Sequence, residues 1–234
     1  IVDAGHGCKW KTQLANLNQF PIMRAENGST MVNQTGFDLA GGEYSKGSID
    51  GGLDRPEGRL HLSWNESSFL LRVETHDRWH VVKESPEAMF GADSLQIGVS
   101  VGQDEMIRPN NDGIQETAYS EFGVMPSGGG ECASHVWASS NRNLSELSKP
   151  LPGLKTRWSR AEDTTTYYLE IPWKSLNVKN PRPGMHLRFS LLVNDADESK
   201  QRHWLEWYSG IGNGKDPLLY GEGILADDTS GAGR

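Results

Sequence analysis

Cysteine is nearly absent from this chain. Cys8 and Cys132 are the only two among 234 residues, and neither lies in a CxxC or CxxCH pattern. That removes thiol-redox and c-type haem chemistry. The two can pair in an oxidising compartment or stay as separate thiols. Long apolar runs are missing as well, since none approaches the roughly 20 residues that span a bilayer. Ile1 opens without a charged or apolar leader, so the chain reads as a mature product or an excised domain. Positive charge is short: 23 Lys and Arg stand against 31 Asp and Glu, for a formal net charge of −8. Nucleic acid and anionic membranes reward a basic surface and are not expected as partners. No GxSxG elbow, P-loop or HExxH is present, and no segment offers a long amphipathic helix.

What is there is alternation. From Arg59 onward the apolar residues recur with period two: Leu60, Leu62 and Trp64; Phe69, Leu71 and Val73; Leu95, Ile97 and Val99; Tyr167, Leu169 and Ile171; Leu187, Phe189, Leu191 and Val193. Between them lie turn-rich pieces such as WNESS, RPNNDG, MPSGGGE, KNPRPG and SGIGNGKDP. Half-buried strands punctuated by Gly, Pro and Asn point to an all-β fold, an antiparallel β-sandwich of immunoglobulin-like or jelly-roll-like form. One domain is expected over residues 1–225, with 226–234 a tail or linker. Residues 1–58 are less regular: QLANLNQF suits a strand or a helical turn, GFDLAGGEYSKGSIDGG a loop, and PWKSL one short helical turn. Four N-x-S/T matches, at Asn27, Asn33, Asn65 and Asn143, matter only in a glycosylating host.

WNESSFLLRVETHD, FGADSLQIGV, YYLEIPWKSL, LRFSLLVNDADESKQRHWLEW and KDPLLYGEGIL, in that order, resemble the family 9 carbohydrate-binding modules over residues 59–225. The first 58 residues match poorly; IDGGLD stands almost directly against the WNESS strand. The resemblance implies a non-catalytic module, secreted or at the cell surface, that binds a polysaccharide or oligosaccharide and targets a covalently linked polysaccharide-degrading domain. Such modules hold a sugar between two tryptophans with help from polar anchors. The first aromatic falls here on Phe90, the anchoring carboxylate on Gln96 and the arginine on Arg202, whereas the second tryptophan position is Gly214. The 208–216 loop, with Tyr208 and Asn213, would then form the opposite lip, and Trp79 in the loop after VETHD is the candidate to supply the missing indole. Aromatic rings suit this work because they offer flat surfaces at small entropic cost. Trp10, Trp137, Trp158 and Trp204 lie off the inward register, while Trp64, Trp173 and Trp207 read as core.

Asp195 and Asp197 offer the hard oxygens that Ca²⁺ takes, and equally suit an acidic turn that caps loop N–H groups; the resemblance implies structural calcium. His76 and His80 leave a strand four residues apart, about 13 Å, too far to share one ion without a sharp bend. A glycoside hydrolase or polysaccharide lyase is the alternative. Yet Glu74, Glu170 and Glu206 alternate with apolar residues and read as a solvated sheet face, not as the paired acids of a hydrolase. An extracellular haem-binding sandwich would need Met89 or Met185 with His80 or His203, whereas methionine ordinarily fills cores.

Overall fold

Alternation sorts the strands into an inner and an outer face. A computed structural model describes residues 19–25, 36–39, 57–101, 119–139, 147–197, 202–212 and 215–227, with only the backbone of Arg202. β3 (Glu57–Trp64) and β4 (Ser68–His76) form a hairpin that sets Leu60 beside Val73, Leu62 beside Leu71 and Trp64 beside Phe69. Its turn is tied by Asn65, whose side-chain oxygen accepts the Ser67 and Ser68 N–H groups at 2.9 Å each. β9 (Thr164–Pro172) adds Tyr167, Leu169 and Ile171, β5 (Ser94–Ser100) adds Leu95, Ile97 and Val99, and β10 (His186–Ala196) adds Leu187, Phe189, Leu191 and Val193. All these residues share one buried cluster with Trp64, Trp173 and Trp207. Each such large side chain removed from water contributes about 1.5–3 kcal/mol.

The remaining strands are β1 (Gln19–Arg24), β2 (Phe37–Asp38), β6 (Tyr119–Pro126), β7 (Cys132–Ala138), β8 (Lys155–Ala161), β11 (Arg202–Trp207) and β12 (Gly221–Ala226). Pairing runs β7-β6-β5-β10-β12-β1-β3-β4-β9-β8, with β11 added to β10 and β2 to β3. The two end strands, β7 and β8, touch. The molecule is therefore nearly all-β, with one large sheet curled almost into a barrel.

Antiparallel pairing was expected throughout, and β1 departs from it: it runs parallel to both β12 and β3. The reason is topological. A hairpin makes its two strands antiparallel, but β1 is inserted between two strands that are not its sequence neighbours. Its link to β3 is narrow, Met23 with Ser63 and Arg24 with Trp64. Gln19 and Phe20 of QLANLNQF are thus strand, and Phe37 and Asp38, expected in a loop, form β2 with Leu39 buried behind it. PWKSL makes its expected turn as the 3-10 helix Trp173–Leu176. Cys8, Trp10, IDGGLD and the tail from 228 lie outside the described residues, and with them the pairing of Cys132.

Candidate ligand face and acidic cluster

With Leu95, Ile97 and Val99 turned inward, β5 presents Ser94, Gln96, Gly98 and Ser100 on its other face. Gln96 sits between Gly123 of β6 and Leu192 of β10. It is almost fully buried, and its Nε2 donates to Asn194 Oδ1 at 3.4 Å. Asn194 Nδ2 donates to Ser94 Oγ at 3.0 Å, and Ser94 Oγ donates to the Met89 carbonyl at 2.6 Å. This polar chain reaches the 3-10 helix Pro86–Gly91, which is capped by Ser85 and carries Phe90. Met89 of that helix is driven inward against Ala92 and Met125, so its neighbour Phe90 projects outward at 48% exposure. The packing needs Gly123: a Cβ there would lie 2.2 Å from Met89 Sδ.

Residues 208–212 and 215–220 fold back over the same face. Ile211 and Tyr220 pack with Leu192, and Trp204 lies against them. Tyr220 sits on Gly98, where a Cβ would come within 2.4 Å of its ring. Glu206 Oε1 accepts the Ile211 N–H at 2.6 Å and the Gly212 N–H at 3.1 Å. Glu206 is fully buried, which corrects its reading as part of a solvated face. Glu121 of β6 is buried nearby and bonds Lys215. Burial pushes both carboxyls above the usual range; loop N–H groups hold Glu206 down, and Lys215 holds Glu121 down. Burial likewise raises the Tyr220 hydroxyl, which finds no hydrogen-bond partner among the described residues.

Neither Glu121 nor Lys215 was legible as functional. Both sit in patterns that also describe an ordinary wet surface, and the contact between them spans 94 residues. Tyr208 was expected on the sugar side. Its ring instead joins the main core, 4.9 Å from Trp207 and edge-on to it, because the backbone turns left-handed there, at φ 63°. Arg202 stands on β11 opposite Ala196; Asn213 and Gly214 lie outside the described residues.

A second constellation lies where three strand ends meet. Asp77 follows β4, Asp93 precedes β5 and Asp195 is near the end of β10; their carboxylate oxygens lie within 4.8 Å of one another. Asp93 accepts Ala196 N–H at 2.9 Å and Val81 N–H at 2.7 Å, with His80 Nδ1 at 3.4 Å. Asp77 Oδ1 accepts the Trp79 N–H at 2.8 Å, while its Oδ2 is shielded and has no partner among the described residues. Burial, followed by the charges of Asp93 and Asp195, raises the Asp77 carboxyl to about 7, against the pull of the Trp79 N–H. Three oxygen donors, one of them orphaned, with excess negative charge fit a hard divalent cation such as Ca²⁺.

Of the expected pair, Asp195 belongs to this group and Asp197, just past β10, does not. Asp77 and Asp93 escaped sequence reading because nothing local marks two carboxylates that meet only when β4, β5 and β10 align. The histidines part company: His76 meets Thr164 Oγ1 at 3.0 Å, and His80 stacks on Trp158 at 5.3 Å. Trp79 is 40% exposed in the loop between Asp77 and Asp93.

No family profile and no curated protein matches the sequence. Solved structures do match the fold. A family 9 carbohydrate-binding module from Caldicellulosiruptor kristjanssonii, in complex with cellotriose, superposes with a TM-score of 0.61 at 16% identity, over 92% of this chain and 96% of that one. The glucose complex gives the same score and identity, covering 92% of this chain and 100% of that one. A protein from Bacteroides uniformis with a proposed role in carbohydrate binding gives 0.57 at 11% identity, over 89% and 99% of the two chains. The chain has a fold like that of the family 9 carbohydrate-binding modules.

Proposed function

We propose that this protein is a non-catalytic carbohydrate-binding module, secreted or at the cell surface, that carries a linked polysaccharide-degrading domain to its glycan. The observation that carries the reading is Phe90: an exposed ring on a helix whose Met89 carbonyl is tied through Ser94 and Asn194 to Gln96. A flat apolar wall is what a sugar ring stacks on, and the buried amide chain behind it holds the helix that presents the wall. Trp79, Arg202 and Asn213 complete the proposed site. Tyr208 serves it only by turning the chain after β11, and Lys215 adds a cation at its rim. Ca²⁺ at Asp77, Asp93 and Asp195 is the proposed structural metal. The two halves of the curled sheet, joined through β1, act as the two layers of the sandwich.

Hydrolysis finds little support in the buried carboxylates. Glu121 and Glu206 are 1% and 0% exposed, and a catalytic acid must reach the scissile oxygen. The test is a glycan array of reducing and reduced oligosaccharides, with and without Ca²⁺, followed by incubation with xylan, cellulose, laminarin, pectin, alginate and agar. Selective binding without turnover is expected, at an affinity on the order of 10 μM to 1 mM. Sustained product formation that survives repurification overturns the reading.

A further inference from the structure

We propose that the cation held by Asp77, Asp93 and Asp195 sets the position of the loop that carries Trp79 and Phe90, so that divalent metal governs the aromatic wall as well as stability. The consequence for ligand binding rests on the sugar-binding reading above; the effect on the loop does not.

The chain between β4 and β5 is anchored at both ends by the acidic group. Leaving β4, Asp77 receives the Trp79 N–H on Oδ1, two residues on. Asp93, 6% exposed, receives the Val81 N–H on Oδ2 and returns its own N–H to the Val81 carbonyl at 2.8 Å. Arg160 of β8 fastens the start of the loop from outside, donating to the Asp77 carbonyl at 2.6 Å and to Thr165 Oγ1 at 2.8 Å. Phe90 lies three residues before Asp93, on the helix closed by the Ala92 N–H to the Met89 carbonyl. Three exposed large apolar side chains, Trp79, Val82 and Phe90, thus sit on one loop whose ends are held by carboxylates.

Those carboxylates repel one another, and the shielded Asp77 Oδ2 has no donor among the described residues. Each is at once a candidate cation ligand and the acceptor that fixes a loop amide, except Asp195, which reaches the group from β10. A cation that draws the three together fixes the acceptors to which Trp79 and Val81 are tied. Without it, repulsion is relieved by moving the least buried member, Asp77, and Trp79 moves with it.

The experiment is amide hydrogen exchange of the whole chain, in EDTA and in millimolar Ca²⁺, beside calorimetric titration with Ca²⁺ alone. Asp195→Ala removes one ligand and leaves both loop hydrogen bonds in place. If it does not fold, Asp77→Asn, which keeps the Trp79 acceptor, replaces it. Expected is calcium binding by the parent, with exchange over residues 78–82 slowed roughly tenfold or more and little slowing in the variant. Absence of calcium binding overturns the proposal, and so does binding that leaves the loop unchanged or slows parent and variant alike. A chain that orders its loop with Ca²⁺ but binds no oligosaccharide refutes the sugar reading and leaves the coupling intact.

Discussion

Asp77→Asn isolates one carboxyl charge while keeping the Oδ1 acceptor for Trp79. In the metal-free protein the Asp77 carboxyl is raised from 3.8 to about 7, by burial first and by its two acidic neighbours next. A group whose folded value lies above its unfolded one contributes stability in full below pH 3.8. That contribution is lost as pH rises toward 7. Three units at about 1.4 kcal/mol each would give about 4 kcal/mol; solvent screening of this half-buried group reduces it to on the order of 2 kcal/mol. At pH 8 in EDTA, Asp77→Asn should therefore melt above the parent. The margin is about 4–8 °C, taking about 2–4 °C per kcal/mol for a chain of this size, and it should shrink as pH falls to 4. Millimolar Ca²⁺ should reverse the order, since a cation at 100 times Kd adds about 2.7 kcal/mol to a protein that binds it. Thermal melts at pH 4, 6 and 8, each in EDTA and in Ca²⁺, read all of this. Coincident melts of parent and variant at pH 8 in EDTA would refute the reasoning.

Three further outcomes follow from named contacts. Phe90→Ala and Trp79→Ala should each weaken binding of the best array ligand by about 1–3 kcal/mol at unchanged melting temperature, and Arg202→Lys should weaken it despite keeping the charge; calorimetry that finds all three equal to the parent places the site elsewhere. Lys215→Ala strands the buried Glu121 carboxylate and should cost about 1–3 kcal/mol, whereas Glu121→Gln, which removes the buried charge itself, should cost less; urea midpoints decide, and the reverse order defeats the argument. Tyr220→Phe deletes a buried hydroxyl without a hydrogen-bond partner among the described residues, so its stability from urea melts should hold or rise by up to about 1 kcal/mol; a clear loss would reveal a partner for that hydroxyl.

The inward series from Leu60 to Val193 could be read directly because period two is a local property and the core simply obeys it. Trp64, Trp173 and Trp207 followed for the same reason. The parallel entry of β1 could not be read, since strand direction depends on partners more than 30 residues away or at the far end of the chain. The same alternation that revealed the core hid Glu206. An acid on the outer face looks solvated until later residues, Ile211 and Gly212 among them, cover it. Exposed Phe90 and Trp79 were legible from position, whereas Tyr208 was misplaced because a left-handed turn redirects its ring. Asp195 and Asp197 were marked together by their acidic turn, whereas the carboxylates that Asp195 meets are set by three strand ends meeting in space, which no spacing in the sequence records.

The parallel pairing of β1 with β12 also decides how the protein answers a pull. Gln19 opens β1 and Ala226 closes β12, and the register Gln19 with Glu222 through Met23 with Ala226 puts these points at opposite ends of one ladder, about 14 Å apart at strand spacing. Tension applied there draws the two strands past each other along their length, so the hydrogen bonds between them share the load instead of opening one by one. The exit is reinforced where Trp64 Nε1 donates to the Ala226 carbonyl at 3.0 Å and Arg24 pairs with Asp227 at 3.1 Å. A pull applied at the start of β1 and the end of β12 therefore meets these two strands in shear.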